Sequence, residues 1–241
     1  MDQLLIALDL PTRAEALDAA GALRSVTGGF KIGSRLFTSE GPEIVRGIAA
    51  LGERIFLDLK FHDIPNTVAQ AVESATTLGV WMVNVHAGGG LRMMEAAREA
   101  ARDTAARLGR TPPLVIAVTV LTSMDASTLA EIGVDTPVPD QVLRLADLAQ
   151  RAGLDGVVAS PLETAMIRRR CGPDFAIVTP GIRGAGAGVA GKDDQARTMT
   201  PAEAIAAGAS YLVVGRPILG ATDRRTAAEL IAAEMKEAVQ Q

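Results

Sequence analysis

Short apolar runs alternate with longer amphipathic segments along the whole 241-residue chain. The apolar runs are rich in Val, Ile and Leu and mostly lack a polar face, which predicts β-strands buried on both sides. There are eight such runs, with predicted bounds Leu4–Asp9, Phe30–Gly33, Arg54–Lys60, Met82–Ala87, Leu114–Leu121, Gly156–Ser160, Phe175–Ile182 and Tyr211–Gly215.

The segments between these runs have the spacing of helices. Apolar residues recur three and four positions apart, and several segments end at a glycine, as helix C-termini often do. The clearest examples are Thr12–Arg24, Gly90–Gly109, Pro139–Gly153 and Asp223–Val239.

Strands that alternate with helices predict a parallel sheet covered by helices. Eight strand–helix units in 241 residues fit the (β/α)8 TIM barrel, which typically has about 250 residues. We therefore predict an α/β protein with a single (β/α)8 barrel domain over residues 1–241, and an open doubly wound sheet is the alternative. One long Gly-rich segment, about 183–199, follows the seventh strand and predicts a lid loop.

Polar residues collect where the predicted strands end. In a (β/α)8 barrel the functional side chains lie at this C-terminal end. Charges that were merely solvated would be scattered over helix faces and both ends, so this clustering predicts an active site. The polar and loop residues at these positions are Asp9, Lys31, Asp58, Lys60, Asn84, His86, Thr122, Ser123, Pro180, Arg183, Gly215 and Arg216.

The third strand runs into the segment "IFLDLKFHDIPNTV", which places charges inside an apolar strand. Asp58 and Lys60 are two residues apart and therefore point to the same side, while Leu57 and Leu59 face the helices. Charges that face a barrel interior must be paired or functional. We expect Asp9 and Lys31 to lie nearby; the alternative is an ion pair that only fixes packing.

The eighth strand ends in "VVGRPI", which predicts a phosphate site. Gly215 lets backbone N–H groups approach an anion, and Arg216 supplies a fork of donors. "GRP" alone would predict a turn, but the neighbouring lid, with Gln195, favours a phosphate.

Composition narrows the possible partners. The net charge is −4 with no basic run, so neither nucleic acid nor an anionic membrane is a favoured partner. The apolar run at the N-terminus is too short for a signal peptide or a membrane span. The single cysteine, Cys171, rules out a disulfide within the chain. We predict a soluble cytoplasmic protein.

The remaining candidates for chemistry are weaker. His62 and His86 are each expected to serve as a hydrogen-bonding scaffold or a ligand contact, with catalysis as the alternative. No spacing of His, Cys and carboxylates predicts a metal site, and no G-x-G-x-x-G motif follows a strand. These motifs therefore support neither a zinc site nor a dinucleotide site.

The motifs together resemble a known family. "LDLKFHDIPNTV" resembles the signature of orotidine 5′-phosphate decarboxylase, and "ALD", "FKIG", "VLTSM", "TPGIR" and "VVGRPI" are similar to other blocks of that family, in its order. The resemblance spans the whole chain. It implies conversion of orotidine 5′-monophosphate to UMP and CO₂, the last step of de novo pyrimidine synthesis, without metal or cofactor.

The resemblance also implies roles for the charged residues. Lys60 would deliver a proton to C6 of the pyrimidine, and Asp58 would lie near the departing carboxylate. Lys31 and Asp9 would hold the ribose hydroxyls and connect the charges. Asp58 and Asp63 beside Lys60 would favour its ionised form.

Further roles concern the dimer, the base and the phosphate. Asp63, with Ile64 and Thr67, would reach across a homodimer interface into the neighbouring site. Thr122 and Ser123 would contact the base. The remaining substrate-binding residues are Pro180 of the "TPGIR" block and the phosphate ligands Arg183, Gln195, Gly215 and Arg216.

Three other functions fit parts of the pattern. Sister barrels that act on sugar phosphates share the Asp-x-Lys-x-x-Asp core but bind Mg²⁺. A Schiff-base aldolase would use Lys60 as a nucleophile, but this needs a neutral lysine, which neighbouring carboxylates oppose. A barrel that only binds a ligand is the third, and the intact set of charges argues against it.

Overall fold

The computed structural model describes residues 2–182 and 199–239. Eight parallel strands close into a barrel in the order of the chain, from β1 to β8, and β8 pairs with β1. The strands are β1 Leu4–Ala7, β2 Gly29–Gly33, β3 Ile55–Phe61, β4 Met82–His86, β5 Leu114–Val118, β6 Gly156–Val158, β7 Ala176–Thr179 and β8 Tyr211–Val214.

Helices follow the strands and form the outer layer. They are α1 Arg13–Leu23, α2 Ser34–Glu40, α3 Pro42–Ala49, α4 Pro65–Thr77, α5 Leu91–Arg107, α6 Ala126–Glu131, α7 Val138–Arg151, α8 Thr164–Cys171, α9 Pro201–Ala206, α10 Arg216–Leu219 and α11 Arg224–Val239, with short 3₁₀ turns at Ala87–Gly89 and Pro161–Glu163.

This architecture confirms the predicted (β/α)8 barrel and excludes the open sheet. The four helices predicted most clearly are present, and Thr12 caps α1 by accepting a hydrogen bond from the N–H of Glu15. Several strands are shorter than predicted. β1 ends at Ala7, β5 at Val118 and β7 at Thr179, because the apolar sequence continues beyond the last paired residue of each strand.

The core consists of two layers separated by the barrel wall. Leu4 and Ile6 pack against the helices, while Leu5 and Ala7 from the same strand face the interior. The interior layer contains side chains from most of the strands, namely Leu5, Ala7, Phe56, Met82, Ile116, Val178 and Val213. This filled interior supports the site from below.

An aromatic cluster closes the N-terminal end of the barrel. Trp81 and Tyr211 meet edge to face, with ring centroids 5.2 Å apart, and the Arg54 guanidinium lies 4.5 Å from the Trp81 ring centroid. Arg54 also donates to the carbonyl of Gly28 at 2.7 Å.

The structure also bears on membrane insertion. Among the residues that the structure describes, no helix is both long enough and apolar enough to cross a bilayer.

Candidate active site

Four charged side chains form a continuous series of ion pairs at the C-terminal end of the first three strands. Lys31 Nζ lies 3.3 Å from Asp9 Oδ1 and 3.4 Å from Asp58 Oδ2. Lys60 Nζ lies 2.6 Å from Asp58 Oδ1. The charges alternate in sign along this charge array, which we define as Asp9, Lys31, Asp58 and Lys60.

Burial differs strongly along the array. The side chains of Lys31 and Asp58 are 10% and 12% exposed, whereas those of Lys60 and Asp9 are 35% and 57% exposed. The middle of the array is therefore part of the core, and both ends reach the surface of the site. The ammonium of Lys60 is held from below by Asp58 and remains accessible to a ligand from above.

Asp58 is ionised despite its burial. Burial raises the pKa of this carboxyl, but the charges of Lys31 and Lys60 and the hydrogen bonds from Lys60 and Asn84 outweigh it, so the pKa lies below its ordinary value of 3.8. The carboxylate accordingly acts at neutral pH as the shared counterion of two ammonium groups.

Asn84 links this carboxylate to the backbone of the same strand. It is fully buried, its Nδ2 donates to Asp58 Oδ1 at 2.7 Å, and its Oδ1 accepts from the backbone N–H of Lys60 at 2.8 Å. The sequence marks Asn84 as a polar residue at a strand end but does not predict this role. The available signal was an amide inside the apolar run "MVNVH".

β3 is irregular at this point. Leu57 pairs with Val83 and Phe61 pairs with Val85, so the register with β4 shifts between them. Lys60 has φ +53°, and it is the one non-glycine residue with positive φ in the described part of the chain. This left-handed conformation costs about 1–2 kcal/mol, so the surrounding contacts must hold it in place.

The predicted orientation of these residues is correct. Leu57 belongs to the helix-facing core and Leu59 packs against it, while Asp58 and Lys60 meet on the opposite face. Phe61 also packs against the helix-facing core, so the alternation of faces continues through the irregular part of the strand.

Two glycines leave space beside the array. A Cβ on Gly33 would lie 2.9 Å from Lys31 Nζ and 3.2 Å from Asp9 Oδ1. A Cβ on Gly215 would lie 3.7 Å from Asp9 Oδ2. The loop after β8 therefore adjoins the array, and the exposed Arg216 lies there at the start of α10. An anion site that served the same ligand as the array would need this position.

The two histidines form a stacked pair beside the array. The His62 and His86 ring centroids are 5.3 Å apart, with an interplanar angle of 29°. Burial, and then the charges of His62 and Lys60, lower the pKa of His86, and Asp58 opposes this. The sequence predicts a separate role for each histidine and does not predict that they touch.

Residues predicted to serve a neighbouring site are exposed just beyond the end of β3. Asp63 is exposed, and its Oδ1 accepts from the N–H of Ile64 at 2.7 Å. Among the described residues, the ion pairs of Lys60 include Asp58 but not Asp63. Ile64 is 66% exposed, and Thr67 is exposed on the first turn of α4.

The structure describes some of the other predicted site residues but not all of them. Thr122, half-buried, and Ser123, exposed, form the turn after β5, and Pro180, half-buried, directly follows β7. Arg183, Gln195 and the predicted lid, apart from Met199, lie outside the described residues.

Outside the charge array, the described residues show few features of a functional site. Within residues 2–182 and 199–239, no group of three or more His, Cys, Asp or Glu side chains is arranged to hold a metal ion. A surface depression of about 470 Å³ is lined by residues of α7 and α8, and none of these residues belongs to the charge array. The lining residues are Asp140, Leu143, Arg144, Asp147, Arg151 and Arg170.

The fold and the position of the array define this chain as a (β/α)8-barrel enzyme with its site at the C-terminal end of the strands. The sequence pattern of the Orotidine 5'-phosphate decarboxylase / HUMPS family matches residues 2–231. The chain belongs to this family.

Individual relatives are similar to this chain over almost its whole length. The orotidine 5'-phosphate decarboxylase of Moorella thermoacetica is 52% identical over 98% of this chain and 92% of its own. That of Halorhodospira halophila is 55% identical over 98% of this chain and 97% of its own. The crystal structure of orotidine 5'-phosphate decarboxylase from Lactobacillus acidophilus covers 96% of this chain and 98% of its own, with 36% identity and a TM-score of 0.84.

Proposed function

We propose that this chain catalyses the decarboxylation of orotidine 5′-monophosphate to UMP and CO₂, the last step of de novo pyrimidine synthesis. Relatives that share half of its residues over nearly its full length carry the name of this activity. The observation that carries the proposal is the array in which a partly exposed Lys60 is held by the buried, ionised Asp58.

The reaction needs a cation at the carbon that loses its carboxylate. When the bond from C6 to the carboxylate breaks, the electron pair stays on an sp² carbon that the ring cannot delocalise well. The Lys60 ammonium would stabilise this developing charge and then transfer a proton to C6, leaving a neutral amine that solvent reprotonates.

Asp58 would contribute by raising the energy of the bound substrate. A carboxylate about 4 Å from a second carboxylate costs about 4 kcal/mol at an effective dielectric of about 20. Binding elsewhere on the substrate must offset this cost, and the phosphate is the natural source. We assign the phosphate to Gly215 and Arg216, together with Arg183, Gln195 and the closing lid of residues 183–199.

We assign the remaining contacts from the family resemblance, and the positions around the array support them. Asp9 and Lys31 would bind the ribose hydroxyls, since Asp9 lies between the buried charges and the loop at Gly215. The base would then lie near Thr122, Ser123 and Pro180, which we assign to it on their positions after β5 and β7.

The first test is turnover itself. Purified protein should consume orotidine 5′-monophosphate, followed by the change in ultraviolet absorbance, and activity should survive EDTA. Full activity after EDTA would count against a metal-dependent sugar-phosphate enzyme of the same family, and loss with recovery on adding Mg²⁺ would contradict a metal-independent reaction. Borohydride inactivation with a ketose phosphate would favour an aldolase.

Lys60→Ala tests the proton donor. We expect turnover to fall below detection, because the carbanion at C6 would lose the Lys60 ammonium that stabilises and protonates it, while UMP binding measured by calorimetry largely survives. A variant with near-normal kcat would contradict the role of Lys60.

We also propose a homodimer in which Asp63, Ile64 and Thr67 complete the neighbouring site. Their exposure on the array side of the barrel supports this. Lys60→Ala and Asp63→Asn should each be inactive alone, and mixing equal amounts should restore about a quarter of the activity, since half the dimers are mixed and each contains one intact site. If Asp63 served its own chain, mixing would restore nothing.

A further inference from the structure

Asn84 occupies a position that only a side chain with both a donor and an acceptor can satisfy. The N–H of Lys60 can only donate, and the ionised Asp58 can only accept, so one orientation of the amide meets both partners. Its two contacts, 2.8 Å and 2.7 Å, are both short. The amide is fully buried, so water does not replace either bond.

These contacts join two parts of the array, the Asp58 carboxylate and the Lys60 backbone, whose relative position must stay fixed. One holds the carboxylate of Asp58, and the other holds the backbone of Lys60, which has φ +53°. The bulge in β3 interrupts the pairing with β4 here, so the amide takes the place of a strand partner for the Lys60 N–H. Both ends of the Lys60–Asp58 ion pair are therefore tied to β4 through one side chain.

We propose that Asn84 is a positioning residue that aims the Lys60 ammonium at the substrate, acting through the backbone of Lys60 and the carboxylate of Asp58. This inference rests on the proposed function. Asn84 itself need not touch the substrate. Its loss would remove one hydrogen-bond partner from a strained backbone and one from Asp58 Oδ1, which Lys60 Nζ alone would then hold, and a shift of about 1 Å in a catalytic group can cost about 100-fold in rate.

Two substitutions separate the parts of this role. Asn84→Leu removes both bonds with a side chain of similar size. Asn84→Asp keeps an acceptor for the Lys60 N–H but places a second carboxyl against Asp58. Ile116→Val is the matched control, because Ile116 pairs with Asn84 on the next strand and lies in the apolar interior.

We expect Asn84→Leu to lower kcat about 100-fold while KM and the Kd for UMP change less than about threefold. As the pH is lowered from about 8 to about 5.5, Asn84→Asp should regain activity relative to the parent, because the protonated carboxyl can donate a hydrogen bond to Asp58 as the amide does. Asn84→Leu should show no such recovery. Ile116→Val should lower the melting temperature and leave kcat and the pH profile unchanged.

The inference is overturned if kcat of Asn84→Leu stays within about threefold of the parent, or if Asn84→Asp follows the pH profile of Asn84→Leu. Should Asn84→Leu fail to fold, the Asn84→Asp profile is compared with the parent alone, and an activity ratio that does not rise as pH falls overturns the inference. If the parent shows no turnover, the proposed function fails instead. Crystals of the variants then decide the positioning role: an unmoved Lys60 would refute it, and a displaced Lys60 would support it.

Discussion

The two ion pairs of Lys31 test how burial sets the strength of a charge pair in this barrel. Its Nζ lies 3.3 Å from Asp9 and 3.4 Å from Asp58, so distance alone predicts equal coupling. The two carboxylates differ in exposure, at 57% and 12%. Burial therefore predicts that the Asp58 pair is the stronger.

Coulomb's law gives the size of the difference. At the observed separation of 3.4 Å, an effective dielectric constant of about 20 gives an attraction of about 5 kcal/mol, and bulk water at about 80 gives about 1 kcal/mol. Desolvation reduces the net values. We expect coupling free energies of about 2–3 kcal/mol for Lys31–Asp58 and below about 1 kcal/mol for Lys31–Asp9.

Double-mutant cycles measure both couplings. The variants are Lys31→Met, Asp58→Asn, Asp9→Asn and the two doubles, each unfolded in urea near neutral pH. The fluorescence of Trp81, the chain's single tryptophan, reports unfolding from the far end of the barrel. Protein concentration is kept constant, because association alters apparent stability.

Equal couplings, or a larger coupling to Asp9, would refute the reasoning. A second check uses pH. Because the pKa of Asp58 is lowered in the folded chain, its contribution to stability is present above 3.8 and lost as pH falls through the folded value. The Lys31–Asp58 coupling should disappear over the same range.

Two further predictions concern the surroundings of the array. Burial first, and then neighbouring positive charges, lower the pKa of His86, so protonation favours the unfolded chain and stability is lost as pH falls below 6.5. His86→Gln should therefore flatten this part of the curve of unfolding free energy against pH. An unchanged slope would contradict this prediction. Gly33→Ala places a Cβ 2.9 Å from Lys31 Nζ and should lower kcat/KM by at least about tenfold. Gly21→Ala, with no atom within 4 Å of the new Cβ, is the control and should stabilise α1 by about 0.5–1 kcal/mol with normal activity.

The fold could be predicted because its signals are local and repeated. Each strand is an apolar run, each long helix has its own spacing and end signal, and the strict alternation of the two leaves few topologies. The ends of strands were less predictable. Asp9 lies two residues beyond β1, since a strand ends where its partners end, and the partners are distant in sequence.

The site could be predicted as far as its charged members. Asp58 and Lys60 stand out because charges are rare in a buried strand. The left-handed backbone of Lys60 gives no sequence signal, since lysine is not a residue that favours positive φ. The bridge through Asn84 and the stacking of His62 on His86 depend on register between β3 and β4, which a single chain's pattern does not reveal.

The pairing of β1 with β8 has a consequence for synthesis of the chain. Leu4 pairs with Leu212, so the first strand leaves the ribosome long before its second neighbour exists. At about 5–20 residues per second, roughly 200 residues take about 10–40 s. During this time one edge of the nascent sheet has unpaired N–H and C=O groups, and protection of that edge by a chaperone would favour productive closure.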